Sequence, residues 1–333
     1  RRDGDRPATE GRDLPVPAFL HEARLSGRVD LQVVYEDDEF VLRPNLVYVP
    51  FGAGANWPED FVGRTRGLES TVATYAFNPT FAYQAHDRFR IGVGVSLIRG
   101  TVDIRRKIAL VQNEGTIQIG GAGWGFGYNA GIQVDVLKDL LSFGAQFRGP
   151  TKTNFEGKGD FQDIPAGFQT LLKDQTLKSS ITLPGTVGLG LSFTPLERLT
   201  VGFDANLVLW SSIEEFAINF EDEALNNPLP KRWKDTWNFH LGAEYGLTDS
   251  FFVRAGLAYD PTPSPEETLT PDLPDAHRYK AALGLGYAFD PIRVDIAYQG
   301  AILGDTESTA PGIAGTYNGF GHSFGLTLGY SMQ

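Results

Sequence analysis

Cysteine is absent from the 333 residues, and methionine occurs once, at Met332. Without a thiol there is no disulfide, no cysteine nucleophile and no zinc–thiolate site, although the compartment stays open. No run of eighteen or more apolar residues occurs, which excludes a transmembrane helix. Positive charge is scarce: 29 Lys and Arg stand against 41 Asp and Glu, a formal net charge of −12. No basic stripe is present, so nucleic acid is excluded as a partner, since phosphate contacts need clustered cations. A signal peptide is also missing, and a chain that opens on Arg1 is expected to be a processed or trimmed product.

Catalytic patterns are equally sparse. The five histidines show no metal-ligand spacing, no serine sits on a strand-to-helix elbow, and no glycine-rich phosphate loop follows a strand. "GVGVSLIRG" places its serine inside a strand. Outer-membrane phospholipases use a Ser and a His on an outer barrel wall, for which His240 and His322 qualify by residue type alone. The expectation is no enzyme, no catalytic residue, no metal and no cofactor.

What is abundant is glycine, 39 residues, with 23 Phe and 12 Tyr. They fall into alternating runs. In "PGTVGLGLSFTP" (184–195), Val187, Leu189, Leu191 and Phe193 take one side and Gly188, Gly190 and Ser192 the other. The pattern recurs at 91–97, 199–209, 237–245 and 324–330. Period-two alternation marks strands, because successive side chains leave a pleated chain on opposite faces. Here the bulky face is apolar and the opposite face is small or hydrophilic, which suits a wall with lipid outside and a lumen inside. A soluble sandwich or calycin-like barrel is the alternative; runs such as 88–106 and 198–216 are too long for globular strands.

Tight turns are expected at 86–88, 137–139, 194–198, 246–250 and 289–291, and long polar or irregular segments near 52–68, 107–123, 156–177, 220–235, 260–276 and 302–319. Short turns on a periplasmic rim and long loops on an extracellular rim describe an all-β, transmembrane antiparallel β-barrel. About fourteen strands are counted, three before residue 51 and eleven after. Residues 1–333 read as one barrel domain, with 1–14 an irregular N-terminal segment. The chain stops at "GYSMQ", with Tyr330 three places before the end, so a truncated or tagged C-terminus stays open.

Several phrases then combine: "YVPFGAGANWPEDFVGR" (48–64), "WGFGYNAGI" (124–132), "FRGPTKTNFEGKGDF" (147–161), "LPGTVGLGLSF" (183–193), "LVLWSSIEEF" (207–216), "WKDTWNFHLGAEY" (233–245), "VRAGLAYDPTPSPEE" (253–267) and "LPDAHRYKAALGLGYAF" (273–289). In this order and spacing, over about residues 45 to 333, the chain resembles the FadL/TodX family of outer-membrane transporters for hydrophobic compounds. The resemblance implies a fourteen-stranded monomer in the bacterial outer membrane that takes up long-chain fatty acids or aromatic hydrocarbons. It implies capture by extracellular loops, an apolar lumen site, and sideways release at a kinked third strand. Family members plug the lumen with an N-terminal hatch bearing Asn-Pro-Ala. The nearest tripeptide here, Asn78-Pro79-Thr80, falls in a predicted strand, so no hatch is seen in the sequence.

Four segments are candidate sites. Pro50, Phe51, Gly52 and Gly54 fall where that third strand would bend. Pro50 lacks an N–H and the glycines permit unusual dihedrals, so ladder pairing should fail there, either as a lateral exit or as the start of a loop. Over 161–176, Asp163 is expected to cap a short helix with Pro165 in its first turn and Phe168, Leu171 and Leu172 on one face. That face would be loop packing or an apolar landing patch. Arg105, Arg106 and Lys107 are the densest cationic cluster, suited to a ligand carboxylate or to lipopolysaccharide phosphates at the rim. Phe126 completes the candidate ligand set. Arg148, Asp204, Glu244, Arg254, Lys280 and Asp295 are expected to form a lumen ion-pair lattice, and Trp57, Trp124, Trp210, Trp233 and Trp237 interfacial belts. The competing function is a polar-solute porin with cation preference, and the third a purely adhesive or structural barrel. Partners are a hydrophobic ligand, the bilayer and lipopolysaccharide.

Overall fold

The structure is a computed structural model that describes residues 29–36, 39–111, 113–226 and 228–330, with backbone alone for 29–47 and Tyr330. Residues 1–28, which hold the expected irregular segment 1–14, lie outside the described residues. The alternating runs form strands, and no α-helix occurs among the described residues. In chain order these are β1 (Val29–Glu36), β2 (Glu39–Tyr48), β3 (Gly52–Asn56), β4 (Glu69–Phe77), β5 (Thr80–His86), β6 (Phe89–Ala109), β7 (Glu114–Leu137) and β8 (Leu141–Arg148). There follow β9 (Thr151–Gln162), β10 (Gln175–Leu183), β11 (Thr186–Leu196), β12 (Leu199–Val208), β13 (Glu215–Phe216), β14 (Ile218–Phe220) and β15 (Leu229–Pro230). The last are β16 (Thr236–Gly246), β17 (Phe251–Asp260), β18 (Arg278–Phe289), β19 (Ile292–Ser308) and β20 (Gly315–Tyr330). Eighteen of these pieces share one sheet, and β13 with β15 makes a separate two-stranded ribbon. Pairing is antiparallel throughout the sheet except where β1 runs parallel to β5.

Prolines divide the long wall strands. β4 and β5 both pair with β6 and are separated only by Asn78-Pro79. β8 and β9 both pair with β7 around Gly149-Pro150, and β10 and β11 meet at Pro184-Gly185. Arg148 pairs Asn129 and Thr153 pairs Gly125, so five steps (148 to 153) face four (125 to 129). One extra residue makes a bulge, which reverses which side chains face inward beyond it. β2 and β3 repeat the device on β4: Tyr48 pairs Ala76 and Gly52 pairs Ala73, four steps against three. The Pro79, Pro150 and Pro184 breaks lie level with one another, since Val95 N–H donates to Pro79 O (3.2 Å) and Gly149 N–H to Tyr128 O (2.9 Å) while Val95 pairs Tyr128.

Polarity inverts across this level. Below it Ile91, Val93, Leu189, Leu191, Phe193, Leu241, Leu257, Leu283, Leu326 and Leu328 project outward and are exposed. Above it the outward row of β9 is Lys152, Asn154, Glu156, Lys158 and Asp160, while Thr153 and Phe155 are buried. Ile117, Ile119, Leu177 and Phe220 pack together on the inner side, with Ile104, Ile108, Phe161 and Ile218 against them. A sheet whose outer face is apolar below and charged above meets hydrocarbon and then water. The lattice is tight at the change: a Cβ on Gly123 would sit 2.1 Å from Asn154 O.

All five expected tight turns are present. Two expected loops are not. Segment 107–123 belongs to β6 and β7, which are 21 and 24 residues long with only 110–113 between them, and 302–319 is strand apart from 309–314. Both stretches alternate, but with charge on the outer side, so reading charge as loop fails where the wall rises out of the membrane. Likewise 156–177 is strand to Gln162 and again from Gln175. Two strands, β1 and β2, are described before residue 51, where the sequence suggested three.

A candidate binding vestibule above the lumen

The inner face of the upper sheet is apolar because its outer face already meets water, and three connecting segments close over it. These are 57–68, 209–235 and 261–276. The last, "PTPSPEETLTPDLPDA", is proline-rich and therefore neither helix nor ladder strand. It folds inward instead. Leu269 is fully buried with Leu68 against Trp57, Ala55 and Tyr317, and Phe61 stacks on Trp57 at 4.4 Å. Its backbone carbonyls are taken up by neighbours: Trp57 Nε1 donates to Pro271 O (2.9 Å) and Ser308 Oγ to Leu269 O (2.7 Å).

Beneath this roof lies a small pocket of about 30 Å³ lined by Ile104, Ile119, Ile218, Phe220, Leu225 and Leu229, with Arg66, Arg106 and Asp272. Burial holds the Arg106 guanidinium below the usual arginine range, an effect that Asp272 opposes. Lys231 is almost fully buried and donates to Asp272 Oδ2 (2.8 Å) and Thr270 Oγ1 (2.9 Å). Burial likewise raises the Tyr317 hydroxyl, with the nearby Asp272 charge adding to it.

A second apolar cluster sits near the level of the strand breaks. Tyr48, Ala76, Ile98 and Leu183 pack together with Phe51 and Ile181, and the Arg148 guanidinium lies 4.7 Å over the Tyr48 ring. Below it, the wall of β12, β16, β17 and β18 frames a hollow of about 450 Å³ with Asp204, His240, Glu244, Arg254, Lys280 and Gln299 among its lining. Glu244 accepts from Arg254 Nε (2.5 Å), Arg254 Nη1 reaches Asp295 (2.7 Å), and Lys280 pairs with Asp260. The expected ion-pair lattice thus exists for Glu244, Arg254, Lys280 and Asp295, whereas Arg148 stacks on Tyr48 instead.

The sequence-predicted residues are distributed as follows. Arg105 and Lys107 face outward and both reach Glu59, at 2.5 and 3.5 Å; Arg106, on the opposite face, lines the pocket. Phe126 is on the outer face, 68% exposed, and does not reach the interior. The helix over 161–176 is a correction. Asp163 has φ 57°, left-handed rather than the extended geometry of an N-cap, and 165–172 makes two tight turns, closed by Phe168 N–H to Pro165 O (2.8 Å) and Leu172 N–H to Phe168 O (2.8 Å). Phe168, Leu171 and Leu172 are not brought to the pocket, and Leu171 is half-exposed.

Pro50 and Phe51 sit in the β2–β3 bulge, and Gly52 and Gly54 pair with β4 beyond it. Thr74 replaces the lost ladder: Phe51 N–H donates to its Oγ1 (2.9 Å), while its Oγ1 and N–H both donate to Phe51 O (2.7 and 3.0 Å). Phe51 also packs edge-on against Trp210 at 5.8 Å. Trp124 and Trp237 are exposed on the outer face as belts require, but Trp57 is buried and Trp210 packs on Trp233 at 5.2 Å, because the loops carrying them fold inward. Arg66, Lys231 and Asp272 escaped the sequence reading, since single charges in separate loops carry no periodic signal.

A model of the family described as "Outer membrane protein transport protein (OMPP1/FadL/TodX)" matches residues 33–329. The 47 kDa outer membrane protein of Pasteurella multocida is 24% identical over 95% of this chain and 80% of its own length. The long-chain fatty acid transport protein of Salmonella typhi is 22% identical over 72% of this chain and 61% of its own length. Among solved structures, a Pseudomonas aeruginosa FadL homologue superposes with TM-score 0.76 at 20% identity, covering 85% of this chain and 73% of that one.

Proposed function

Because the chain belongs to the OMPP1/FadL/TodX family of outer-membrane transport proteins, which are not enzymes, we propose that it takes up hydrophobic molecules, long-chain fatty acids or aromatic hydrocarbons, across the bacterial outer membrane. The observation that carries this reading is the inversion of polarity. An apolar vestibule, lined by Ile104, Ile119, Ile218 and Phe220, stands in water directly above a lumen whose wall is small and polar. An apolar solute gains by leaving water there, about 25 cal/mol per Å² of surface covered. The sheet closes as a fourteen-stranded monomeric barrel, ligand passes from the vestibule to the lumen, and it leaves through the wall beside Pro50, Phe51, Gly52 and Gly54. Arg105 and Lys107, facing outward at the rim, meet lipopolysaccharide.

The test pairs two measurements on the protein in lipid bilayers: displaceable binding of a fluorescent fatty acid, and single-channel conductance. Saturable binding, lost on Ile119→Asp, with little steady conductance is the expected result. Large steady conductance with cation preference and no fatty-acid binding would establish a polar-solute porin instead.

A further inference from the structure

The vestibule pocket collects three cations around one carboxylate. Arg66 and Arg106 line it with Asp272, and Lys231 bonds Asp272 from the side. Neither arginine forms an ion pair among the described residues, although the surrounding side chains are Ile104, Ile119, Phe220 and Leu225. Arg66 is exposed and Arg106 half-buried, and cations that share a single carboxylate beside apolar side chains favour an incoming anion. Asp272 is also the one acid in the pocket lining, and it belongs to the roof segment, directly after Leu269, Thr270 and Pro271. A second fact concerns size. About 30 Å³ holds roughly one water molecule, whereas a drug-sized or lipid ligand needs hundreds of Å³, so nothing enters unless the roof moves.

We infer that Asp272 is an internal stand-in for a ligand carboxylate: it occupies the Arg66–Arg106–Lys231 site and thereby latches the 261–276 segment shut, and an amphiphile's carboxylate releases the latch by replacing it. The inference rests on the transport reading above and adds to it a headgroup-specific opening step. The incoming anion takes the guanidinium and ammonium donors, the Lys231–Asp272 bond breaks, and Leu269 and Pro271 leave with the segment. That exposes the apolar wall to the ligand's tail. A neutral hydrophobe of equal length has nothing to exchange with Asp272 and opens the roof poorly.

The absence of native cysteine makes the segment directly observable. Ser264 is buried, 8% exposed, so Ser264→Cys is a near-isosteric reporter whose maleimide labelling reads roof opening. With the full chain in vesicles, sodium laurate should accelerate labelling at least tenfold and 1-dodecanol less than twofold. Adding Asp272→Asn should make labelling fast without ligand, and adding Arg106→Gln should remove the laurate response. Labelling indifferent to laurate, while laurate still displaces a fluorescent fatty acid, overturns the latch and leaves the transport reading standing. So does equal acceleration by dodecanol. If neither compound displaces the dye, the transport reading falls and the latch with it. The Ser264→Cys arm retains Asp272, so its result does not depend on how well the Asp272→Asn chain folds.

Discussion

Thr74→Val isolates the chemistry of the β2–β3 bulge. Thr74 is fully buried, and its hydroxyl is the acceptor for the Phe51 amide and a donor to the Phe51 carbonyl. Valine keeps the shape and removes both bonds. The Phe51 carbonyl retains the Thr74 backbone N–H at 3.0 Å, so it stays satisfied. The Phe51 N–H does not, and an orphaned buried donor costs about 1–3 kcal/mol. Thr74→Ser keeps the hydroxyl and loses one methyl, a cost of about 1 kcal/mol. The ordering is therefore Val below Ser below wild type. It is measured by reversible urea unfolding from lipid vesicles, with an unchanged m-value showing that the same surface is exposed. Amide exchange at Phe51 should quicken in the valine variant alone. A valine variant within about 0.5 kcal/mol of wild type, or less damaged than serine, would refute the claim that Thr74 stands in for the broken ladder.

Three further outcomes follow from the same geometry. Leu257→Arg on the lower outer face should cost about 2–4 kcal/mol near the bilayer midplane, whereas Lys158→Leu on the upper outer face should fall within about 0.5 kcal/mol; unfolding from vesicles compares them. Phe155→Ala should cost about 3–5 kcal/mol in the same assay, because the ring is buried against Gly100, where an added Cβ would lie 2.7 Å from it. Glu59 and Glu114 are held below the usual glutamate range, chiefly by hydrogen bonds from Arg105 and Arg64. A depressed carboxylate pKa stabilises above its unfolded value and is lost as pH falls through the folded one. Protease attack on 57–68 should thus stay slow at neutral pH and rise only below the ordinary glutamate range, and an onset above about pH 6 would contradict these pairs.

Much of the wall is legible in the sequence. Leu189, Leu191 and Phe193 alternate with Gly188, Gly190 and Ser192, and they do face outward. The tight turns were legible too, as was the inward-facing carboxylate–guanidinium pairing of Glu244 with Arg254. The upper wall was misread for one reason. Charge at Lys107 and Glu114 looked like loop, but a strand in water puts charge outside and Ile104, Ile117 and Ile119 inside. The tryptophans divided on the same ground: Trp124 and Trp237 lie on strands and stay outside, while Trp57, Trp210 and Trp233 ride inward-folding connections.

Periodicity is a property of neighbours along the chain, so the sequence by itself determined strands, their two faces and the side that meets lipid. Which face turns inward past Pro50 or Pro150 depends on one extra residue counted against a partner strand, and a lone strand has no such count. The meeting of Arg66, Arg106, Lys231 and Asp272 is more remote still. Those residues come from three loops and a strand, and only the pairing of the strands and the inward fold of 261–276 bring their charges within reach of one another.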